Sequence, residues 1–102
     1  MITITLQRDK DKHITGFDIF GHAGYSEAGS DIVCAAVSAL AQTALLGLLD
    51  HDAQHVQYDM EEGSLSVRVM KGGIVTQAIL RTMELGLTEI SKQYSEYVIL
   101  HS

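Results

Sequence analysis

One uncharged segment, residues 32–49, constrains the fold of this chain more than any other feature. An uncharged run of that length is a candidate for a membrane-spanning helix. However, Ser38 and Gln42 interrupt it, alanine supplies much of it, and its flanking charges are Asp31 and Asp50 rather than Lys or Arg. The first residues contain no continuous apolar stretch of the signal-peptide kind. We therefore predict a buried helix in a cytoplasmic protein that does not engage a membrane.

Short strands are predicted wherever apolar and polar side chains alternate. The pattern recurs in residues 2–6, 14–20, 56–60 and 65–69, and a final strand is predicted at residues 97–100. Gly16 is expected to mark a bulge, and the charged residues 9–12 and residues 61–64 are expected to form turns.

Two helices are predicted to cover these strands. The first is capped by Ser30 or Asp31 and runs to about Leu49. Its predicted apolar stripe is Val33, Val37, Leu40, Ala44 and Leu48. The second helix follows Gly72 and Gly73. Its predicted inner face is Val75, Ile79, Met83, Leu87 and Ile90. The order β-β-α-β-β-α-β predicts an α+β fold, a single domain over residues 1–102, with two helices packed on a mostly antiparallel sheet.

The charge and the cysteine content exclude several classes of function. The formal charge is −6, from 13 acidic and 7 basic residues, so direct binding to nucleic acid is not expected and a basic partner is favoured. The single cysteine excludes a disulfide framework and a dithiol redox centre, and it suits a reducing compartment.

That cysteine, Cys34, lies at the start of the first predicted helix, behind a glycine-rich loop that contains His22. Unpaired N–H groups and the helix dipole stabilise an anion there, and a thiolate is a nucleophile. An imidazole folded back onto the helix start could take the thiol proton and return it to a leaving amine. Backbone N–H groups of the same turn could hold an oxyanion.

A structural interpretation of the same residues stands beside this one. A lone cysteine in an alanine-rich helix is usually a small buried apolar residue. Ser38, one turn further on, is by default a helix serine that bonds back to a carbonyl. From spacing alone, the structural role of the thiol is the more frequent one.

A longer sequence pattern favours the catalytic role of Cys34 over the structural one. The letters GHA at residues 21–23, followed by G-x-D-I-x-C-A-x-x-S at residues 29–38, resemble the signature of the bacterial ribosomal-processing cysteine protease family. The match within the signature has no departure, and outside it the likeness is one of length and element order. The resemblance implies that Cys34 is the nucleophile and His22 the general base.

The resemblance also implies a substrate and an assembly. The family trims a short N-terminal extension from a large-subunit ribosomal protein (number twenty-seven), and its members are typically homodimers. Gly21, Gly29, Asp31 and Ser38 belong to the signature and are expected to support the site. We expect neither a cofactor nor a bound metal. The alternative function is a ribosome-associated binding or assembly module whose thiol is structural.

Other candidate residues have simpler explanations. Asp31 could orient His22, but a capping role explains its position fully. His51 and His55 have the spacing of helical metal ligands, yet they lack the accompanying glutamate and are expected to be surface residues. The loop of residues 21–30 is expected to be mobile without substrate, and its residues 25–27 either line the cleft or fill a turn. A domain of this size is expected to take an extended peptide with apolar residues before the cut.

Overall fold

A five-stranded sheet carries both helices on one face. The structure is a computed structural model, which describes residues 1–21 and 30–102 and, at Ser30 and Asp31, the backbone alone. Its elements are β1 (Ile2–Arg8), β2 (Ile14–Gly21), α1 (Ser30–Asp52), β3 (Val56–Glu61), β4 (Ser64–Val69), α2 (Ile74–Gln93) and β5 (Val98–His101). The predicted α+β fold and element order are confirmed.

The strand order is β3-β4-β2-β1-β5, with every neighbouring pair antiparallel except β1 and β5. Side chains of alternate residues point to opposite faces of a sheet. Accordingly Ile2, Ile4 and Leu6 are buried under the helices, whereas the intervening residues of β1 are partly exposed. Within residues 1–21 and 30–102, the sheet therefore has one face in the core and one open face, and β3 and β5 form its edges.

The first hairpin contains the expected irregularity, one residue away from the predicted place. Gln7 pairs with Gly16 and Arg8 pairs with Ile14, so Thr15 is the extra residue. A side chain at Gly16 would lie 2.5 Å from the carbonyl oxygen of Val67. Gly16 thus permits close approach of β4, while the bulge itself is at Thr15.

Helix α1 packs beside α2 over the core face of the sheet. Of its predicted stripe, Val33, Val37, Ala44 and Leu48 are buried, and Leu40 is partly buried against the same cluster. The helix begins at Ser30, so Ser30 and Asp31 are helical residues rather than caps, and it continues to Asp52, beyond Leu49. A short 3₁₀ turn, Ala53–His55, leads into β3. By length and composition alone, Ile32–His55 could cross a membrane, a test that the core helix of a soluble protein also passes.

The inner face of α2 differs from the prediction at its start. Val75 is half exposed, and the buried residues are Thr76, Leu80, Met83, Glu84 and Leu87. The stripe is therefore rotated because Thr76 and Glu84 occupy inner positions. Glu84 is buried only because two cations compensate its charge: Arg8 of β1 pairs with one carboxylate oxygen and Arg81 with the other.

Several predictions fall on residues 22–29. The mobility of the loop, the place of His22 and Gly29, and the role of residues 25–27 all lie outside the described residues.

Candidate active site

A cavity of about 180 Å³ lies at one end of the sheet, where three segments meet. These segments are the end of β2 at Gly21, the first half of α1, and the turn that joins β3 to β4. The strand pairing brings these segments together: β4 pairs antiparallel with β2, so its first residue, Ser64, lies beside Phe20 near the end of β2. The floor is apolar, with Ile2, Ile19 and Leu65.

Cys34 lines this cavity from α1. It is partly buried and packs against the core cluster, so it is neither a fully buried core residue nor a fully exposed one. As the fifth residue of α1 it begins the second turn, one position later than a place in the first turn. Helical side chains lean toward the N-terminus, which carries this thiol back over the N–H groups that have no partner within the helix. The thiol therefore lines the cavity close to the start of the helix.

Gly21 forms the opposite wall and must be glycine for two reasons. Its φ of 100° lies in the left-handed region, and a side chain there would stand 2.4 Å from the carbonyl oxygen of Met1. Its N–H donates to the carbonyl oxygen of Gly63 at 2.9 Å, which ties the end of β2 to the β3–β4 turn. This glycine therefore fixes the position of the last residue of β2, beside the β3–β4 turn.

The signature residue Ser38 lies one turn beyond Cys34, is exposed, and lines the same cavity. Gln42 continues this line one turn further. Residues four apart lie on one side of a helix, so these three form a polar edge along α1 that begins at the thiol.

The third segment of the cavity was not predicted from the sequence. Met60, Glu61, Gly63 and Ser64 belong to the β3–β4 hairpin and line the cavity next to α1. No motif links them to Cys34, since they are distant in the chain and meet it through strand pairing. Their place in the cavity could have been predicted only from the order of the strands in the sheet.

Of the signature residues, the structure brings Gly21, Cys34 and Ser38 together. His22 and Gly29 lie outside the described residues, and of Asp31 only the helical backbone is described. The pairing of thiol and imidazole therefore stays a prediction.

Other polar clusters lie away from this cavity. Among the described residues, ligand atoms of Asp9, Asp11 and His13 lie within 4.8 Å of one another, all exposed in the β1–β2 turn. One oxygen of Asp9 already accepts the backbone N–H groups of Asp11 and His13 and so closes the turn. His55 contacts Asp52 at 2.9 Å, in agreement with a surface role.

Fold and site together have the properties of a small thiol hydrolase: two helices on one sheet, and one thiol near a helix start that lines a cavity. The family model for cysteine protease Prp matches residues 1–99. The chain belongs to this family, and it is a cysteine protease.

Known proteins of this family are similar to the chain over nearly its whole length. The ribosomal processing cysteine protease Prp of Staphylococcus aureus strain Mu50 is 32% identical, over 99% of this chain and 98% of the relative. A crystal structure of the S. aureus protease with a covalently linked product peptide has a TM-score of 0.88 at 27% identity, covering 99% of this chain and 98% of that one. A second crystal structure of that protease, with a substrate peptide, has a TM-score of 0.84 at 25% identity, with the same coverage of both chains.

Proposed function

We propose that this protease removes a short N-terminal extension from a large-subunit ribosomal protein in the bacterial cytoplasm, with Cys34 as nucleophile and His22 as general base. One observation carries the assignment of the nucleophile. The chain has a single cysteine, and it lines the cavity at the start of α1. A cysteine protease with one thiol has no other nucleophile of that kind.

Two further observations support the substrate. The relatives are named ribosomal processing proteases, and a structure of one contains a peptide linked covalently. The chain is acidic, with a formal charge of −6, and ribosomal proteins are basic.

The chemistry balances with these groups alone, without a cofactor or a metal. His22 takes the proton of the Cys34 thiol, and the sulfur bonds to the scissile carbonyl carbon. N–H groups of the first turn of α1 hold the oxyanion. As the C–N bond breaks, the imidazolium gives its proton to the leaving amine. Water, deprotonated by His22, then attacks the thioester carbonyl carbon. The C–S bond breaks, the carboxylic acid is released, and the imidazolium returns its proton to the sulfur.

The remaining signature residues have supporting roles in this proposal. Gly21 directs the chain toward His22, and Ser38 offers a hydroxyl along the edge of the cavity. Gly29 and Asp31 precede and begin α1, where they would shape the loop and favour the positive end of the helix. The active unit is a homodimer, which requires neither nucleic acid nor a membrane.

Replacement of the thiol tests the nucleophile. The Cys34→Ala protein is expected to lose all cleavage of a synthetic peptide that copies the extension while it keeps the fold. Loss of one partly buried sulfur is expected to cost less than the ~2–5 kcal/mol of a large core truncation. Peptide cleavage and urea unfolding measure the two properties, and residual cleavage by the variant would exclude Cys34 as nucleophile.

Replacement of the histidine tests the pair. His22→Ala is expected to be inactive with the thiol present, and its Cys34 is expected to react more slowly with iodoacetamide near neutral pH. Equal rates in both proteins would mean that the side chains are not coupled. A thiol that reacts only after unfolding, in a protein that binds but never cleaves the peptide, would favour the binding module instead.

A further inference from the structure

We propose that the substrate peptide binds as an additional strand along the outer edge of β3, through the backbone of Tyr58 and Met60. This inference rests on the proposed function and names the surface that holds the peptide. Four properties of β3 support it.

The first property is its place in the sheet. In the part of the chain that the structure describes, β3 is an edge strand, with β4 as its neighbour on one side. An edge strand presents a row of backbone N–H and C=O groups that can pair with another extended chain.

The second property is the direction of those groups. Antiparallel pairs alternate between hydrogen-bonded and non-hydrogen-bonded positions. Met70 donates its N–H to the carbonyl oxygen of His55, and the two-residue turn pairs Glu61 with Ser64. Both observations show that the odd-numbered residues of β3 form the backbone hydrogen bonds to β4. The backbone groups of Val56, Tyr58 and Met60 therefore point to the outer edge.

The third property is continuity with the thiol. Met60 lines the same cavity as Cys34, and it also has an outward backbone. β3 follows α1 through a short turn and runs antiparallel to it, so Tyr58 lies further along the groove, toward the C-terminal half of α1. A peptide that pairs with Met60 would reach the thiol within a few residues, since a strand advances about 3.3 Å per residue.

Exposure of the side chains agrees with this arrangement. Tyr58 and Met60 point to the helix face of the sheet, yet they are 51% and 48% exposed, so the helices cover them only in part. Met60 lines the cavity together with Ser38 and Gln42. The floor of the cavity, with Ile19 and Leu65, would receive one apolar side chain of the peptide.

The fourth property is charge. The hairpin contains Asp59, Glu61 and Glu62, and no lysine or arginine occurs between His51 and Val67. Exposed carboxylates attract cations within about 10 Å at moderate salt. The fitting occupant is therefore an extended peptide with an apolar residue at the cavity and basic residues beside the hairpin.

Hydrogen exchange in the Cys34→Ala protein tests the proposal, with a synthetic peptide of the extension as the probe. The amides of Tyr58 and Met60 are expected to exchange fast in the free protein and at least about tenfold more slowly in the complex. The amides of Gln57 and Asp59 are expected to be protected in both states because they bond to β4, which provides an internal control.

The outcomes separate this inference from the proposed function. Absence of peptide binding at any concentration would overturn both. Peptide binding that protects other amides but leaves Tyr58 and Met60 exchanging freely would overturn the edge-strand proposal alone. Protection of both amides before peptide is added would also overturn it, since a second copy or another segment would then occupy the edge.

A proline substitution gives an independent test by kinetics. Tyr58→Pro removes the outward N–H at an edge position, where proline is tolerated. Tyr58→Ala is the matched control, since it removes the side chain and keeps the N–H. In the active protein, KM for the peptide is expected to be roughly fivefold higher for the proline variant than for the alanine variant, the order expected for one hydrogen bond.

Two checks accompany that comparison. Circular dichroism should show the same folded spectrum for both variants. Ile74→Ala, at an apolar residue that is 92% exposed at the start of α2, is expected to leave KM unchanged. Equal KM values for Tyr58→Pro and Tyr58→Ala would exclude a backbone hydrogen bond at this position.

Discussion

Gly21 shows how one residue connects the sheet to the chemistry. It ends β2 with a positive φ, bonds to the β3–β4 turn, and immediately precedes His22. No other residue type satisfies the left-handed backbone and the close carbonyl of Met1 together. The glycine of the signature therefore has a structural reason that is independent of the likeness to a family.

Gly21→Ala is expected to destabilise the fold and reduce cleavage. The left-handed backbone costs an alanine about 1–2 kcal/mol, and displacement of Met1 adds to this. Urea unfolding and peptide cleavage measure the two effects. Gly73→Ala is the matched control, because its backbone is extended and a side chain there meets nothing within 4 Å. A Gly21→Ala protein as stable as wild type would contradict the strain argument.

Individual site residues differed in how far the sequence predicted them. Cys34 and Ser38 were found because a local pattern contains them, and both line the cavity. Met60 and Ser64 line it equally but belong to a different hairpin, and only the pairing of β4 with β2 brings them there. Local signatures predict local parts of a site, and the rest depends on topology.

The difference between local patterns and distant contacts also applies to whole helices and strands. Strands and helices were predicted because their apolar periods are regular, and their bounds shifted by a few residues at ends that lack strong capping signals. The prediction for the inner face of α2 was wrong at Val75, because Glu84 lies on that face and rotates it. Periodicity assigns a glutamate to the surface, whereas the ion pair with Arg8 allows this one to be buried. A buried charge cannot be predicted from periodicity when its partner is distant in the chain.

Strands β1, β2 and β4 are also connected across the open face of the sheet. Arg68 pairs with Asp18 at 3.0 Å, and Gln7 donates to the same carboxylate at 2.7 Å. Burial alone would raise the pKa of Asp18, but hydrogen bonds from Arg68, Ser66 and Gln7, together with the charge of Arg68, hold it below its ordinary value. Because the folded-state pKa is lowered, the carboxylate stabilises the fold above the ordinary value, and this contribution is lost as the pH falls through the lowered one.

Asp18→Asn is therefore expected to be less stable than wild type at pH 7, by less than about 1 kcal/mol because both partners are partly exposed. The difference should shrink as the pH falls below the ordinary pKa of 3.8, and it should disappear below the lowered pKa, where the folded carboxyl is neutral. Urea unfolding between pH 3 and pH 7 measures it. Arg68→Gln should reduce the same pH-dependent part, and the double variant should add little to either. A stability difference that does not change with pH would contradict the lowered pKa.

At the scale of the molecule, charge is distributed unequally between the two ends of the sheet. The end with Cys34 includes the acidic β3–β4 hairpin, whereas the other end contains most of the cations: Arg8, Lys10, Lys12, Lys71 and Arg81. Among the described residues, the end of the sheet with Cys34 is therefore the more acidic of the two. A basic peptide would be oriented by this asymmetry before it contacts the groove.

Salt is expected to weaken peptide binding through the hairpin. For a basic peptide and the Cys34→Ala protein, Kd should rise about threefold to tenfold between 25 mM and 500 mM NaCl, over which the Debye length falls from roughly 20 Å to roughly 4 Å. Fluorescence anisotropy of a labelled peptide measures it. Replacing Glu61 and Glu62 by Gln should reduce the salt dependence, because those carboxylates lie beside the groove. Asp11→Asn, at the opposite end of the sheet, is the control and should leave it unchanged. If Asp11→Asn reduces the salt dependence as much as the hairpin variant does, total charge rather than its position governs recognition.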